Sequence, residues 1–270
     1  MVAPRLHVVG SSPRSGTTLM FELLCYGFDV TRLGDHEHSL FDRPPVTARP
    51  AASKTPNDFV HVKRLLPWDR HLHCLFMDRD PRDCIVSRHG QAPDRYWCDF
   101  ETWAKNHALI DRLGPHPRVL VCRYETLVTD PDRVQDQIAS AFPFLRTTRR
   151  FSTFGAKADV SDATRLALKG ARPVTAASRG AWRQNLPRIA AQLAEFPEMA
   201  DQVVRAGYDT PGWTRICDGI PPDPALSVRA EHDPLRQRSG AAWVTARIAR
   251  RLGSLGKELR YAAHALRENS

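Results

Sequence analysis

The residues with the clearest chemical potential lie near the start of the chain, where a short apolar run gives way to small and hydroxylated residues. Residues 6–9 read LHVV, and residues 10–16 read GSSPRSG. A loop of this kind exposes backbone N–H groups, and a helix that opens at Thr17 adds its first-turn donors and the positive end of its dipole. Gly16 permits a close backbone approach, and Arg14 supplies a fixed cation. Further hydroxyl donors come from Ser15, Thr17 and Thr18. The segment predicts a binding site for phosphate or sulfate.

The loop departs from the ATP-binding type, which ends in Gly-Lys-Ser/Thr and places its Lys on the transferred phosphate. Thr17 stands where that Lys would be. A kinase also needs a carboxylate that shares Mg²⁺ with a loop hydroxyl, and the sequence does not single one out. We therefore predict no metal, and a nucleotide-dependent kinase stays the weaker alternative.

A second candidate anion site lies in HLHCLFMDRDPRDCIVSR, residues 71–88. Its first half alternates in the manner of a buried strand, and Asp80 followed by Pro81 predicts the N-cap and first residue of a helix. That helix would start directly after Arg79 and would carry Ser87 roughly 10 Å along its axis. Both side chains could then reach one phosphate. The alternative is a set of surface arginines paired with neighbouring aspartates.

The two motifs, in this order, resemble those of the sulfotransferases that use 3′-phosphoadenosine 5′-phosphosulfate (PAPS). PRSGTTLM, residues 13–20, is similar to the loop that holds the 5′-phosphosulfate, and Arg79 and Ser87 stand where the family holds the 3′-phosphate. The resemblance covers roughly residues 5–210 and is most specific at these two motifs. It implies PAPS as the sulfuryl donor.

Two weaker similarities are best seen against the tyrosylprotein sulfotransferases and related bacterial enzymes. Residues 172–187, RPVTAASRGAWRQNLP, resemble the stretch that closes over the cofactor, which implies contacts from Trp182 and Arg183. Cytosolic members carry an Arg-Lys-Gly before that Trp, and whether Ser178 or Arg179 replaces its contacts stays open. The alternative is that Trp182 is an aromatic residue of the hydrophobic core and does not contact a cofactor.

Lys54, in SKTPND, resembles a Lys that contacts the transferred group in the same enzymes. Sulfuryl transfer builds negative charge on the oxygen that bridges to the departing phosphate, so fixed cations and positioning should supply most of the catalysis. We assign that role to Arg14 and Lys54. Lys54 could instead be a solvated loop residue.

The acceptor hydroxyl must lose a proton, and residues 33–41, LGDHEHSLF, crowd four titratable groups together. The tyrosylprotein branch has its catalytic base, a Glu, at nearly this distance from the phosphate loop, and the match falls on Asp35, His36 or Glu37. We predict Glu37 as the base and His36 as the second choice. A metal site is not predicted, because alternate residues of a loop seldom ligate one ion without further partners. A solvated loop is the remaining alternative.

The order of elements predicts an α/β, P-loop-like three-layer fold with a central, mainly parallel sheet flanked by helices. Residues 1–220 form the predicted sulfotransferase catalytic domain, and residues 221–270 form a linker and a basic amphipathic C-terminal helix. The apolar patterns predict strands at 6–9, 71–77 and 118–123, and helices from 17, 81 and 131 as well as at 100–113 and 188–206.

The C-terminal helix has apolar residues at steps of three and four and is interrupted by Gly253 and Gly256. Its stripe consists of Val244, Ile248, Leu252, Leu255, Leu259, Ala262 and Leu266. Docking on its own domain or on a second copy, as in a homodimer, is the leading interpretation, and peripheral contact with anionic lipid is the alternative.

The net charge of +9 and the pI near 9.6 indicate anionic partners. A basic nucleic-acid-binding protein is the less likely alternative from a different functional class. Nucleic acid is not predicted as a partner, since no helix-turn-helix, zinc-finger or aromatic-basic pattern is evident. The predicted acceptor is a small-molecule or glycan hydroxyl, with carbohydrate or lipid-linked glycan favoured over a phenol or a peptide tyrosine. The lack of a signal-like start or of a long apolar run predicts a cytoplasmic enzyme, with membrane association through the C-terminal helix left open.

Overall fold

A five-stranded parallel sheet forms the centre of the computed structural model, which describes residues 2–35, 37–42, 48–88, 94–156, 174–225, 227 and 240–269. The strands are β1 Arg5–Gly10, β2 Thr31–Arg32, β3 Ala51–Lys54, β4 Leu72–Asp78 and β5 Val119–Arg123. Their order is β2-β3-β1-β4-β5, and every adjacent pair is parallel. The predicted α/β class is therefore confirmed.

Helices cover both faces of the sheet. Within the described residues they are α1 Thr17–Gly27, α2 Phe59–Leu65, α3 Pro81–Ile85, α4 Phe100–Leu113, α5 Tyr124–Thr129, α6 Pro131–Ala141, α7 Leu186–Glu195, α8 Met199–Arg205 and α9 Gly240–Asn269. None of these helices combines the length and apolar character needed to cross a lipid bilayer.

The alternation of side chains along β1 and β4 divides the core into two layers. Leu6 and Val8 pack with α1, α5 and α6 on one face, whereas Val9 packs with α2, α4 and α9 on the other. β4 follows the same rule, with Leu75 on the first face and Phe76 on the second. The result is the predicted three-layer arrangement of helices, sheet and helices.

A third apolar cluster closes the carboxyl end of the sheet. It joins α3, the start of α4, α7 and α8, and contains the indole rings of Trp103, Trp182 and Trp213. Because all strands are parallel, the loops that follow β1, β3, β4 and β5 meet at this same edge. The candidate residues of those loops are therefore brought together by topology.

Three local predictions are wrong. Residues 188–206 form two helices, because Pro197 lacks an N–H and disfavours the helical conformation of Phe196 before it. α3 ends at Ile85, so Ser87 lies beyond the helix. The Ser87 carbonyl accepts the Trp97 N–H at 3.0 Å, next to a β-bridge between Arg88 and Tyr96. α9 runs without interruption through both of its glycines.

Candidate functional site

The loop between β1 and α1 is a tight turn with left-handed backbone at two positions. Arg14 has a φ of 72° and Gly16 a φ of 96°, so both lie in the left-handed region. A Cβ on Gly10 would come within 2.1 Å of the Ser15 Oγ and 2.9 Å of the Thr17 Cγ2, so these two side chains pack closely against this glycine. The Oγ atoms of Ser11 and Ser15 are buried and have no hydrogen-bond partner among the described residues. Buried hydroxyls in this condition indicate a place for a polar ligand.

The loop ends at the N-terminus of α1, where backbone N–H groups are free of helical partners. Gly16 is the N-cap, and no side chain caps this end of the helix. The first-turn N–H groups, together with the helix dipole, therefore favour an anion. Of the two threonines that open α1, Thr17 is buried and Thr18 is half-buried.

Arg79 follows β4 and reaches directly into the loop. Its Nη1 donates to the Arg14 carbonyl at 2.8 Å, its Nη2 donates to the Ser178 carbonyl at 2.9 Å, and its guanidinium lies 4.1 Å from the centre of the Tyr124 ring. The Nε is buried and has no partner within the described part of the chain. Arg79 therefore holds the loop in place while one donor stays available.

Arg14 and Ser87 link the two sequence motifs from the other side. The Arg14 Nε donates to the Ser87 Oγ at 3.0 Å, although 73 positions separate the two residues. Partial burial and the positive charge of Arg79 lower the pKa of Arg14, yet its side chain remains open to solvent. Two arginines from separate motifs thus share one site, which makes a strongly anionic ligand favourable.

Residues 178–182, in the segment before α7, pack against this site. The Asp83 carboxylate accepts the Gly180 N–H at 2.8 Å and the Trp182 N–H at 3.1 Å, and the hydroxyls of Tyr124 and Ser178 lie 2.7 Å apart. Burial raises the pKa of Asp83, and those backbone donors oppose the shift. The carboxylate at the start of α3 thereby anchors a segment almost 100 residues downstream.

Trp182 and Arg183 have different surroundings. The Trp182 ring is 2% exposed; the Arg82 guanidinium lies 4.1 Å from its centre, and Trp213 packs edge-on against it. The indole therefore belongs to the third apolar cluster. Arg183 is exposed, with its guanidinium 4.5 Å from the same ring. Arg179 is exposed as well. The cofactor contacts assigned to Trp182 and Arg183 stay predictions.

Lys54 lies at the carboxyl end of β3, paired in register with Val8 of β1. Its side chain is 1% exposed, and its Nζ donates to the Glu37 Oε1 at 3.1 Å. Burial lowers the pKa of Lys54, the Glu37 carboxylate counteracts this, and the charge of Arg14 adds to the lowering. The solvated-loop interpretation of Lys54 is therefore wrong.

Glu37 lies at the mouth of the site, with its side chain 50% exposed. The backbone beside it is tied to β3, since the His38 N–H donates to the Lys54 carbonyl at 3.1 Å. Asp35 is exposed, and His36 falls outside the described residues. Among the described residues, Glu37 thus contacts another predicted catalytic residue, Lys54.

Several residues that sequence reasoning missed support this geometry. The Trp103 Nε1 donates to the Arg79 carbonyl at 3.0 Å, and the Asn106 amide donates to the Ser11 carbonyl at 3.1 Å, so α4 fixes the backbone of both motifs. Glu22 is a further case, because it is 2% exposed inside α1 and forms an ion pair with Arg32. Only the 3.6-residue spacing of Trp103 and Asn106 on one helix face could have signalled the α4 contacts.

Within the described ranges, no group of three or more His, Cys, Asp or Glu side chains is arranged to hold a metal ion. Neither the models of known protein families nor the curated proteins with which the sequence was compared match this chain.

Proposed function

We propose that this protein is a sulfotransferase that transfers the sulfuryl group of PAPS to a hydroxyl acceptor. The observation that carries the proposal is the direct connection of Arg14 and Arg79 through the Arg14 carbonyl, with Ser87 bonded to the Arg14 guanidinium. Two arginines from separate motifs can bind one ligand that carries two anionic groups, with one group at each arginine. PAPS is such a ligand.

The polar atoms at the site fit a ligand of this kind. The buried donors of the two motifs that have no partner among the described residues are the hydroxyls of Ser11 and Ser15 and the Arg79 Nε. The first-turn N–H groups of α1 follow Ser15 directly in the chain. Each can donate to a phosphate or sulfate oxygen. Among the described residues, no carboxylate lies within salt-bridge distance of Arg14, whereas Asp83 is 3.9 Å from Arg79. The positive charge of Arg14 is therefore available to pair with a bound anion.

In the proposed reaction the acceptor oxygen forms a bond to sulfur while the bond between sulfur and the 5′-phosphate oxygen breaks. Arg14 and Lys54 stabilise the negative charge that grows on the departing oxygen. Glu37 takes the acceptor proton, and its ion pair with Lys54 fixes the position of the carboxylate. The burial of Lys54 strengthens its stabilisation of the charge on the departing oxygen, because charges interact more strongly where water is excluded.

The acceptor is proposed by class. Carbohydrate and lipid-linked glycan hydroxyls are favoured, and phenols or peptide tyrosines are the alternative outcome of an acceptor screen. Incubation with labelled PAPS and a host metabolite extract, followed by mass spectrometry, would identify whatever gains a sulfate. Labelling that needs ATP and Mg²⁺ in place of PAPS would instead indicate a kinase.

Calorimetric titration with adenosine 3′,5′-bisphosphate, the spent donor, tests the nucleotide site itself. Arg14→Ala should weaken binding by about 10- to 150-fold, because a charged hydrogen bond contributes roughly 1.5–3 kcal/mol. Arg112→Ala is the matched control, since that exposed arginine bonds a carbonyl of its own helix. Equal affinities of both variants would contradict the proposal.

A further inference from the structure

The face that α9 turns to its own domain is not the face with most of its leucines. The helix docks through Glu258, Tyr261, Ala262 and Ala265, all at most 9% exposed. Glu258 accepts from His61 at 2.7 Å and from Arg64 at 2.9 Å, both on α2, while the Tyr261 hydroxyl donates to Asp69. Of the residues in the apolar stripe, Ala262 alone is buried in this docking contact.

The stripe itself faces outward. All five of its members up to residue 259 are exposed: Val244 at 47%, Ile248 at 54%, Leu252 at 63%, Leu255 at 37% and Leu259 at 69%. At 100° per residue these positions fall within an arc of about 80°, which lies next to the arc that holds Glu258, Tyr261 and Ala265. A contiguous apolar surface of this kind marks an interaction site.

The charge of the helix indicates what covers that surface. From 244 to 267 the basic residues are Arg247, Arg250, Arg251, Lys257, Arg260 and Arg267. Glu258 is the only acid in this range, and its carboxylate already binds His61 and Arg64. A second copy of the helix would bring arginines against arginines, whereas an anionic surface would complement them.

We propose that α9 docks the protein on an anionic lipid surface. The five apolar side chains enter the boundary between headgroups and acyl chains, and Arg251 and Arg260, on either side of the stripe, reach the headgroup phosphates. Tyr261 and Glu258 keep the helix attached to the domain at the same time, because they use a different face. The proposal does not depend on the proposed reaction.

Flotation of the full chain with vesicles tests this surface directly. The protein should bind vesicles of phosphatidylcholine with phosphatidylserine and should not bind phosphatidylcholine alone, and added salt should weaken the binding. Leu252→Asp with Ile248→Asp should reduce the partition coefficient at least tenfold. Arg251→Gln and Arg260→Gln should each reduce it about fivefold. Every variant should keep its thermal midpoint and its affinity for adenosine 3′,5′-bisphosphate.

Ile216→Asp is the matched control, because that residue is an exposed apolar side chain, at 44%, outside α9. It should leave vesicle binding unchanged. Equal binding to neutral vesicles, or binding that survives the Leu252→Asp and Ile248→Asp pair, would overturn the proposal. So would a concentration-dependent dimer in sedimentation velocity that this pair abolishes, because a second copy would then be what covers the stripe.

Discussion

Replacing Gly16 by Ala tests how tightly the phosphate loop is built against its surroundings. The new Cβ would lie 2.4 Å from the Cδ2 of Tyr124, a ring atom that cannot move without the whole side chain. The same ring stacks on the Arg79 guanidinium, and its hydroxyl contacts Ser178. The substitution should therefore disturb the loop, the second arginine and the segment before α7 together.

The free energy of unfolding should fall by about 2–5 kcal/mol in Gly16→Ala. Left-handed backbone accounts for roughly 1–2 kcal/mol, since φ is 96°, and forcing a methyl group into packed surroundings accounts for roughly 1–3 kcal/mol. Gly212→Ala separates the two contributions. Gly212 has a φ of 86° and also precedes a helical turn, but its Cβ would meet nothing nearer than Arg215 at 3.9 Å. That variant should lose about 1–2 kcal/mol only.

Urea unfolding of both variants, paired with calorimetry using adenosine 3′,5′-bisphosphate, measures the difference. Gly16→Ala should also lose nucleotide affinity, while Gly212→Ala should keep it. Adding Tyr124→Ala to Gly16→Ala should recover about 1–3 kcal/mol relative to additivity, because the clash is then removed. Equal stability losses in the two glycine variants, with no coupling to Tyr124, would refute the packing argument.

Three further outcomes are expected. Glu37→Gln should leave nucleotide affinity intact and lower turnover of labelled PAPS about 10²- to 10⁴-fold, and undiminished turnover would exclude Glu37 as the base. Lys54→Met should abolish turnover without reducing the urea midpoint, because burial lowers the pKa of Lys54 and its charge is costly to bury; a large stability loss would show a structural role. Burial likewise lowers the pKa of His7 below 6.5, so the folded state binds fewer protons than the unfolded one, and stability should fall as pH drops below about 6.5; an equally steep fall in His7→Asn would contradict this.

The parallel sheet and its loops could be predicted because their signals are local. The alternation of β1 and β4, and the Asp-Pro pairs that open α3 and α6, are written in adjacent residues. β3 was missed because its sequence, AASK, has no β-branched or aromatic residue. Its position is instead fixed by pairing with β1 and β2.

The contacts that complete the site could not be predicted, because they depend on tertiary structure. Asp83 looks like one more charge in RDPRD, yet it anchors Gly180 and Trp182. The docking face of α9 shows the same limitation. An aromatic ring, two alanines and a paired carboxylate hold the helix, whereas hydrophobicity alone points to the leucine stripe.

A crystal structure of the complex with adenosine 3′,5′-bisphosphate would show directly whether one nucleotide bridges the two motifs. We expect one nucleotide bound across both, with the 5′-phosphate on the N–H groups that open α1 and on Arg14. The 3′-phosphate should lie within hydrogen-bond distance of Arg79 or Ser87. A nucleotide that touches only one of the two motifs, or that binds elsewhere on the protein, would contradict this expectation.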